Sequence, residues 1–309
     1  MLKDQRILVT GVTGAIALPV ARFLAQENEV FGAARLEDPA RRAELEAAGV
    51  VPCPIDLGGS DLSSLPDQVD YVLHYAYARR NSGEFHEAIE VNGVGTGRVL
   101  AHCRDAKAAL VMSSGTVYST RPGDPNHAFL ETDDIGQAAA PWAPSAPTSK
   151  VAMESVARFC AEQFDLPTVI VRPSSPYGTG PDVPGMALQA ALAGASYPVF
   201  HDPQPYSTIH IDDMCREVES LLQAAAVPAN VVNWASEEVV TLQEMAEMIR
   251  TFTGKPLKLE PMDVPGAGHG YVLDAAKCRA ITGPPTRTFS AAFEEICRAA
   301  VAQENEGGG

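Results

Sequence analysis

The sequence predicts an α/β protein: a doubly wound parallel sheet followed by a smaller C-terminal α/β lobe. Apolar runs rich in β-branched residues alternate with helix-patterned segments over residues 1–173, a rhythm that implies parallel strands with helices on both faces. A glycine-bearing turn, "TGVTGAIA" at 10–17, joins the first apolar run to the first helix pattern. With 309 residues, 46% hydrophobic and 20% charged, the chain can bury a substantial core.

The expected strands are "RILVT" (6–10), "EVFGAA" (29–34), "VVPCPI" (50–55), "DYVLHY" (70–75), "ALVMSS" (109–114) and "TVIVRP" (168–173). All are short and apolar, as strands covered on both faces require. Helix patterns fall at 14–26, 39–48, 84–104 and 149–164, the last carrying Val151, Met153, Val156 and Phe159. After Pro173 the rhythm gives way to Gly- and Pro-rich connections around 176–185 and 201–206, then a helix pattern at 211–225. Thr241 and Glu244 form a capping box before Met245, Ala246, Met248 and Ile249. The expected organisation is a first domain at 1–173, to which segments of 207–235 return, a lobe at 174–302 and a loose tail at 303–309.

A net charge of −16 leaves no broad basic surface for nucleic-acid phosphates or anionic lipid, so neither is an expected partner. Cys53, Cys103, Cys160, Cys215, Cys278 and Cys297 are scattered, with no C-x-x-C pair and no metal-ligand spacing. Reduced, buried thiols, no metal and a cytoplasmic location are expected. The apolar start is not expected to act as a leader, because Gly11, Gly14 and Pro19 break it and Arg22 closes it, and no run is long enough to span a bilayer.

In a Rossmann-type unit Gly11 would turn the chain off the first strand, Gly14 would let backbone approach a phosphate, and Ala17 would keep the helix close to the sheet. Thr13, Ala15 and Ile16 complete the turn, and the helix N-terminus offers free N–H groups to a pyrophosphate. A dinucleotide cofactor is therefore expected, against the alternative that the glycines only shape a turn. Past the second strand come Ala34 and Arg35, with no carboxylate at the strand end to take a ribose 2′-hydroxyl. A guanidinium suits a 2′-phosphate, so NADP(H) is favoured, and nearby Glu37 keeps NAD(H) as the alternative.

The order of "TGVTGAIA", "PIDL" (54–57), "VLHYAYA" (72–78), "VNGVGTGRVL" (91–100), "VMSSGTVY" (111–118), "SKVAMES" (149–155), "VRPSSPYG" (171–178) and "STIHIDDM" (207–214) resembles the extended short-chain dehydrogenase/reductase family along nearly the whole chain. That group contains the nucleotide-sugar epimerases and dehydratases. The resemblance implies that Asp56 and Leu57 lie at the adenine, that Ala76 lines the cofactor, and that Asn92 supports the central helix and active-site loop. It also implies that Lys150 binds the nicotinamide ribose, that Ser114 bonds the reacting oxygen, and that Ser113, Pro173 and Ser175 lie around the nicotinamide. A homodimer through helices 84–104 and 149–164 is implied as well.

Family chemistry moves a hydride between nicotinamide and substrate carbon while a tyrosine exchanges a proton with the substrate oxygen. That tyrosine stands four residues before the lysine, one helical turn away, where the ammonium favours the phenolate. In "APSAPTSK" (143–150) the position is Ala146, and no tyrosine lies beside it. Losing a positioned acid costs roughly 10²- to 10⁴-fold in rate. Three readings stay open: a substituted tyrosine in an otherwise intact site; another donor, such as Tyr118, Tyr177, His127 or a water above Ala146; or a dinucleotide-sensing protein without turnover.

Nucleotide-sugar members carry arginines against the substrate pyrophosphate, whereas the corresponding position before His210 is Tyr206. A small carbonyl, enone or alcohol is the expected substrate, held by Tyr118, Tyr177, Met186, Tyr197, Phe200 and Tyr206 unless these form lobe core. A sugar epimerase or dehydratase is the alternative.

Overall fold

The computed structural model describes residues 2–79, 84–121, 123–136 and 143–307. Strands β1 (Arg6–Thr10), β2 (Glu29–Ala34) and β3 (Val50–Pro54) alternate with helices α1 (Ala17–Leu24) and α2 (Pro39–Ala47). Strand β4 (Tyr71–His74) leads through α3 (Phe85–Ile89), a π-helical turn (Glu90–Val94) and α4 (Gly95–His102) to β5 (Ala108–Met112). A 3-10 turn (Gly115–Val117), the short β6 (Ala128–Phe129) and the long α5 (Ala146–Phe164) precede β7 (Thr168–Pro173). The second half runs β8 (Ser175–Tyr177), α6 (Val183–Leu192), β9 (Ser196–Val199), β10 (Pro205–His210), α7 (Ile211–Gln223) and β11 (Asn230–Trp234). It ends with β12 (Val239–Thr241), α8 (Leu242–Thr253), β13 (Lys258–Pro261), β14 (Val272–Leu273), α9 (Ala276–Thr282) and α10 (Phe289–Gly307).

Seven strands form one parallel sheet in the order β11-β7-β5-β4-β1-β2-β3. Strand periodicity divides β1 between two cores: Ile7 and Val9 pack with Val20, Leu24 and Met214 on one face, while Leu8 packs with Val99, Leu100, Met153 and Ala157 on the other. Apolar side chains on both faces are what sandwich the sheet between α1 and α7 on one side and α4 and α5 on the other. β11 joins the sheet edge beside β7, so the chain re-enters the first domain after leaving it. The smaller lobe has its own core of Tyr177, Leu188, Tyr206, Met245, Phe289 and Phe293.

Departures from the expected elements are local. Helix α1 starts at Ala17 rather than 14 because the glycine turn occupies the preceding residues. The 84–104 helix is interrupted by the π-helical turn at Glu90–Val94. The predicted tail is helical as far as Gly307, with 308 and 309 outside the described residues. The Thr241–Glu244 capping box forms as the sequence predicts. All six cysteines are free and buried. Among the described residues no helix is long and apolar enough to cross a membrane, and no cluster of potential metal ligands occurs.

Candidate active site

Strand order places a crevice. From β1 the chain winds outward through β2 and β3, then crosses to β4 on the other side, so the connections diverge above the carboxyl ends of β1 and β4. Gly11 has φ 66°, and a Cβ there would lie 2.6 Å from the Ala76 Cα; only glycine lets the loops after β1 and β4 approach so closely. Gly14 N–H donates to the Gly11 carbonyl and Gly11 N–H to the Ala33 carbonyl, each at 2.8 Å, which ties the turn to the end of β2. Thr13 and Ile16 are half-buried, and Gly14 and Ala15 are exposed. Helix α1 has no side-chain cap, so its amide end is open to an anion.

Arg35 and Glu37 are exposed just past β2. Beyond β3, exposed Asp56 accepts the Gly58 N–H at 3.0 Å, and the Leu57 carbonyl accepts from Arg98 at 3.2 Å. All these residues stand at the carboxyl edge of the sheet, in line with the glycine turn.

A polar spine runs beneath the crevice. Ala76 N–H donates to Thr10 Oγ1 (3.2 Å), which contacts His74 Nδ1 (2.8 Å), while His74 Nε2 contacts Thr96 Oγ1 (2.8 Å). Burial, reinforced by the Lys150 charge, presses the His74 pKa down to about 3, so the ring stays neutral. Asn92, in the π-helical turn, clamps the following loop: its Oδ1 accepts the Ala78 N–H at 2.7 Å, and its Nδ2 donates to the Ala78 carbonyl at 3.0 Å and to Ser149 Oγ at 3.2 Å. One side chain thus ties the loop carrying Ala76 to the first turn of α5. π-Turns recur at such functional positions.

Ala146 is the first residue of α5 and nearly buried. One turn on, Lys150 donates to the Met112 carbonyl at 2.7 Å. Burial lowers its pKa to about 7, opposed by the Glu154 carboxylate. Covering the amine is Tyr77, with the ring centroid 4.8 Å from Nζ. The sequence reading missed this residue, although it lies directly beside Ala76. Ser114 caps the 3-10 turn, its Oγ accepting from Thr116 N (3.2 Å) and Thr116 Oγ1 (3.0 Å). Past it, a shallow cavity lies between Gly115, Tyr118 and Arg121 on one side and His269 and Tyr271 on the other. Pro173 ends β7, with its carbonyl 3.2 Å from where a Gly115 Cβ would stand.

Several expected site residues are committed elsewhere. Ser113 donates to Glu154 at 2.6 Å, and Glu154 is held by Arg172 through two further bonds of 2.8 and 2.7 Å. Tyr118 extends this buried network, accepting from Arg172 at 3.0 Å and donating to Asn233 at 2.6 Å. Burial outweighs the pull of Arg172 and pushes the Tyr118 phenol up to about 12. Its ring reaches the cavity, but its hydroxyl serves the interior, which corrects the expectation that it donates a proton or binds substrate through oxygen. Tyr177 packs against His210 and Phe289, and the Tyr206 hydroxyl accepts from Gln204 at 2.5 Å; both are lobe core. Ser175 is buried where β8 pairs with β10. His127 is paired with Asp133 at 2.8 Å and set edge-on to Phe129. Met186 is exposed, and Tyr197 packs against the lobe core.

The lobe's arginines are likewise occupied. Arg216, Arg250, Arg279, Arg287 and Arg298 are every arginine after residue 174, and each faces a carboxylate: Asp213, Glu247, Glu217, Asp212 with Glu295, and Glu294 respectively.

The family model of the NAD dependent epimerase/dehydratase family matches residues 7–235. The chain is 26% identical over 265 residues to a dTDP-glucose 4,6-dehydratase of Neisseria meningitidis serogroup B, a match spanning 74% of this chain and 71% of the relative. It superposes with TM-score 0.81 and 20% identity on a UDP-glucuronic acid 4-epimerase from Bacillus cereus, solved with UDP-glucuronic acid and NAD, covering 97% of this chain and 99% of that one. A dTDP-glucose 4,6-dehydratase from Streptomyces venezuelae, solved with NAD, gives TM-score 0.79 and 22% identity over 98% of each chain.

Proposed function

Since the chain belongs to the NAD dependent epimerase/dehydratase family of enzymes, we propose that it transfers a hydride between a nicotinamide dinucleotide and a small carbonyl or alcohol. The residues fit such a cofactor. The open amide end of α1, with Gly11 drawn against Ala76, suits the pyrophosphate; Asp56 and Leu57 suit the adenine end, and Ala76 and Lys150 the nicotinamide ribose. When bound, the nicotinamide supplies or accepts the hydride. Ser114 hydrogen-bonds the reacting oxygen, and Lys150, with a pKa near neutrality, exchanges protons at working pH. Exposed Arg35, with no acid on the last residue of β2, supports NADP(H).

One observation carries the substrate class: every lobe arginine is already paired, so a buried diphosphate would find its charge poorly matched. A second reading, epimerisation or dehydration of a nucleotide sugar on retained NAD, is favoured by the substrates and cofactor of the similar proteins.

The melting temperature, followed against NAD⁺, NADH, NADP⁺ and NADPH and then against UDP-glucose and dTDP-glucose, separates the two. Ligand at 100 Kd stabilises by about 2.7 kcal/mol. A response to NADPH with none to the sugar nucleotides is expected. Stabilisation by a sugar nucleotide, or NAD retained through purification, transfers the assignment to the second reading; no response to any dinucleotide refutes both.

A further inference from the structure

We propose that Tyr77, on the loop after β4, is the proton donor of this active site and takes the place left empty at Ala146. The inference rests on the hydride-transfer reading above and names the acid it lacks. The Tyr77 ring lies over Lys150, with 4.8 Å from Nζ to the ring centroid. Its hydroxyl is buried and makes no hydrogen bond of good geometry, with only the Ser145 side chain near enough to interact. A buried hydroxyl so poorly satisfied is rare in a folded protein, and a substrate oxygen would complete its bonding. The placement is held from both sides, because Asn92 grips both amide atoms of Ala78, the next residue, and also bonds Ser149 on the first turn of α5. Ser145, the residue before Ala146, is close enough to favour the Tyr77 phenolate. The phenol therefore meets the same end of α5, and the same lysine, that a tyrosine at 146 would have met.

Burial raises the Tyr77 pKa, with Arg79 and Ser145 pulling it back. The phenol is thus protonated at neutral pH, as a donor must be. In the reducing direction the hydride adds to the carbonyl carbon and the C=O π pair moves to oxygen. The Tyr77 O–H bond breaks, and its proton goes to that oxygen. The resulting phenolate stands beside Lys150, whose ammonium returns a proton and recovers one from solvent. In the oxidising direction the same transfers run in reverse.

Two readouts test this. The ultraviolet difference spectrum of wild type minus Tyr77→Phe isolates the Tyr77 band without any substrate; the band should move between about pH 6 and pH 8 as Lys150, over its ring, releases its proton, and Lys150→Met should abolish that movement. A band indifferent to Lys150 overturns the proposal. In turnover with NADPH and 4-nitrobenzaldehyde, Tyr77→Phe should lose roughly 10²- to 10⁴-fold in kcat with NADPH Kd unchanged. The swap Tyr77→Ala/Ala146→Tyr should recover part of that loss. Full kcat in Tyr77→Phe also overturns it. A wild-type protein that binds NADPH but reduces no carbonyl counts against the small-carbonyl reading instead, and the titration still decides the role of Tyr77.

Discussion

Glu154 and Arg172 form a two-pronged ion pair at 2.8 and 2.7 Å, with side chains only 2% and 1% exposed. The pair joins α5 to β7, and through Ser113 and Tyr118 it extends to the end of β5 and to Asn233 on β11. It therefore sets the height of the helix that carries Lys150 relative to the sheet.

Removing one partner strands the other charge in the interior. Arg172→Ala is expected to cost about 3–5 kcal/mol, whereas the double variant Glu154→Leu/Arg172→Met should lose markedly less. Urea denaturation of both checks this; equal losses would mean that packing, not the orphaned charge, sets the cost.

Gly11→Ala adds a methyl group 2.6 Å from the Ala76 Cα at a φ of 66°. The loops must separate, so stability should fall by about 1–3 kcal/mol, and the dinucleotide-induced rise in Tm should disappear. An unchanged ligand response would detach the turn from the cofactor.

Lys150 has its pKa lowered from an ordinary 10.5 to about 7 in the folded protein. Between those values the unfolded chain holds a proton that the folded chain has released, so the lysine's contribution makes stability rise with pH across the window. Below about pH 7 both states are protonated and the full cost remains, about 4–5 kcal/mol at the ceiling. Lys150→Met should accordingly raise Tm most at pH 6 and least at pH 10. A gain independent of pH would show that the amine titrates normally.

Phe159 is 62% exposed on α5, with Phe85 and Val94 also exposed on the adjoining α3 and π-helical turn. A second copy of the chain is the proposed cover for this face. Gel filtration should give a dimer, and Phe159→Glu should shift it to monomer; a monomeric wild type would end the idea.

The sequence alone determined the parallel α/β fold. Alternating apolar strands and amphipathic helices can bury their surfaces in few ways, and Gly11 announced the turn that the crevice needs. It also determined that an alanine stands four residues before Lys150, where the family resemblance implies an acid, although the helix pattern began only at 149 and the structure extends α5 back to Ala146. The tertiary structure alone decided what stands above that alanine. Tyr77 lies 73 residues from Lys150 in sequence, and no local pattern links them; they meet because α5 packs against the π-helical turn, from which Asn92 pins the loop after β4. The fate of Tyr118, Tyr177 and Tyr206 was likewise settled by packing. A tyrosine's chemistry depends on which side of its ring faces water, and that is fixed by elements far away along the chain.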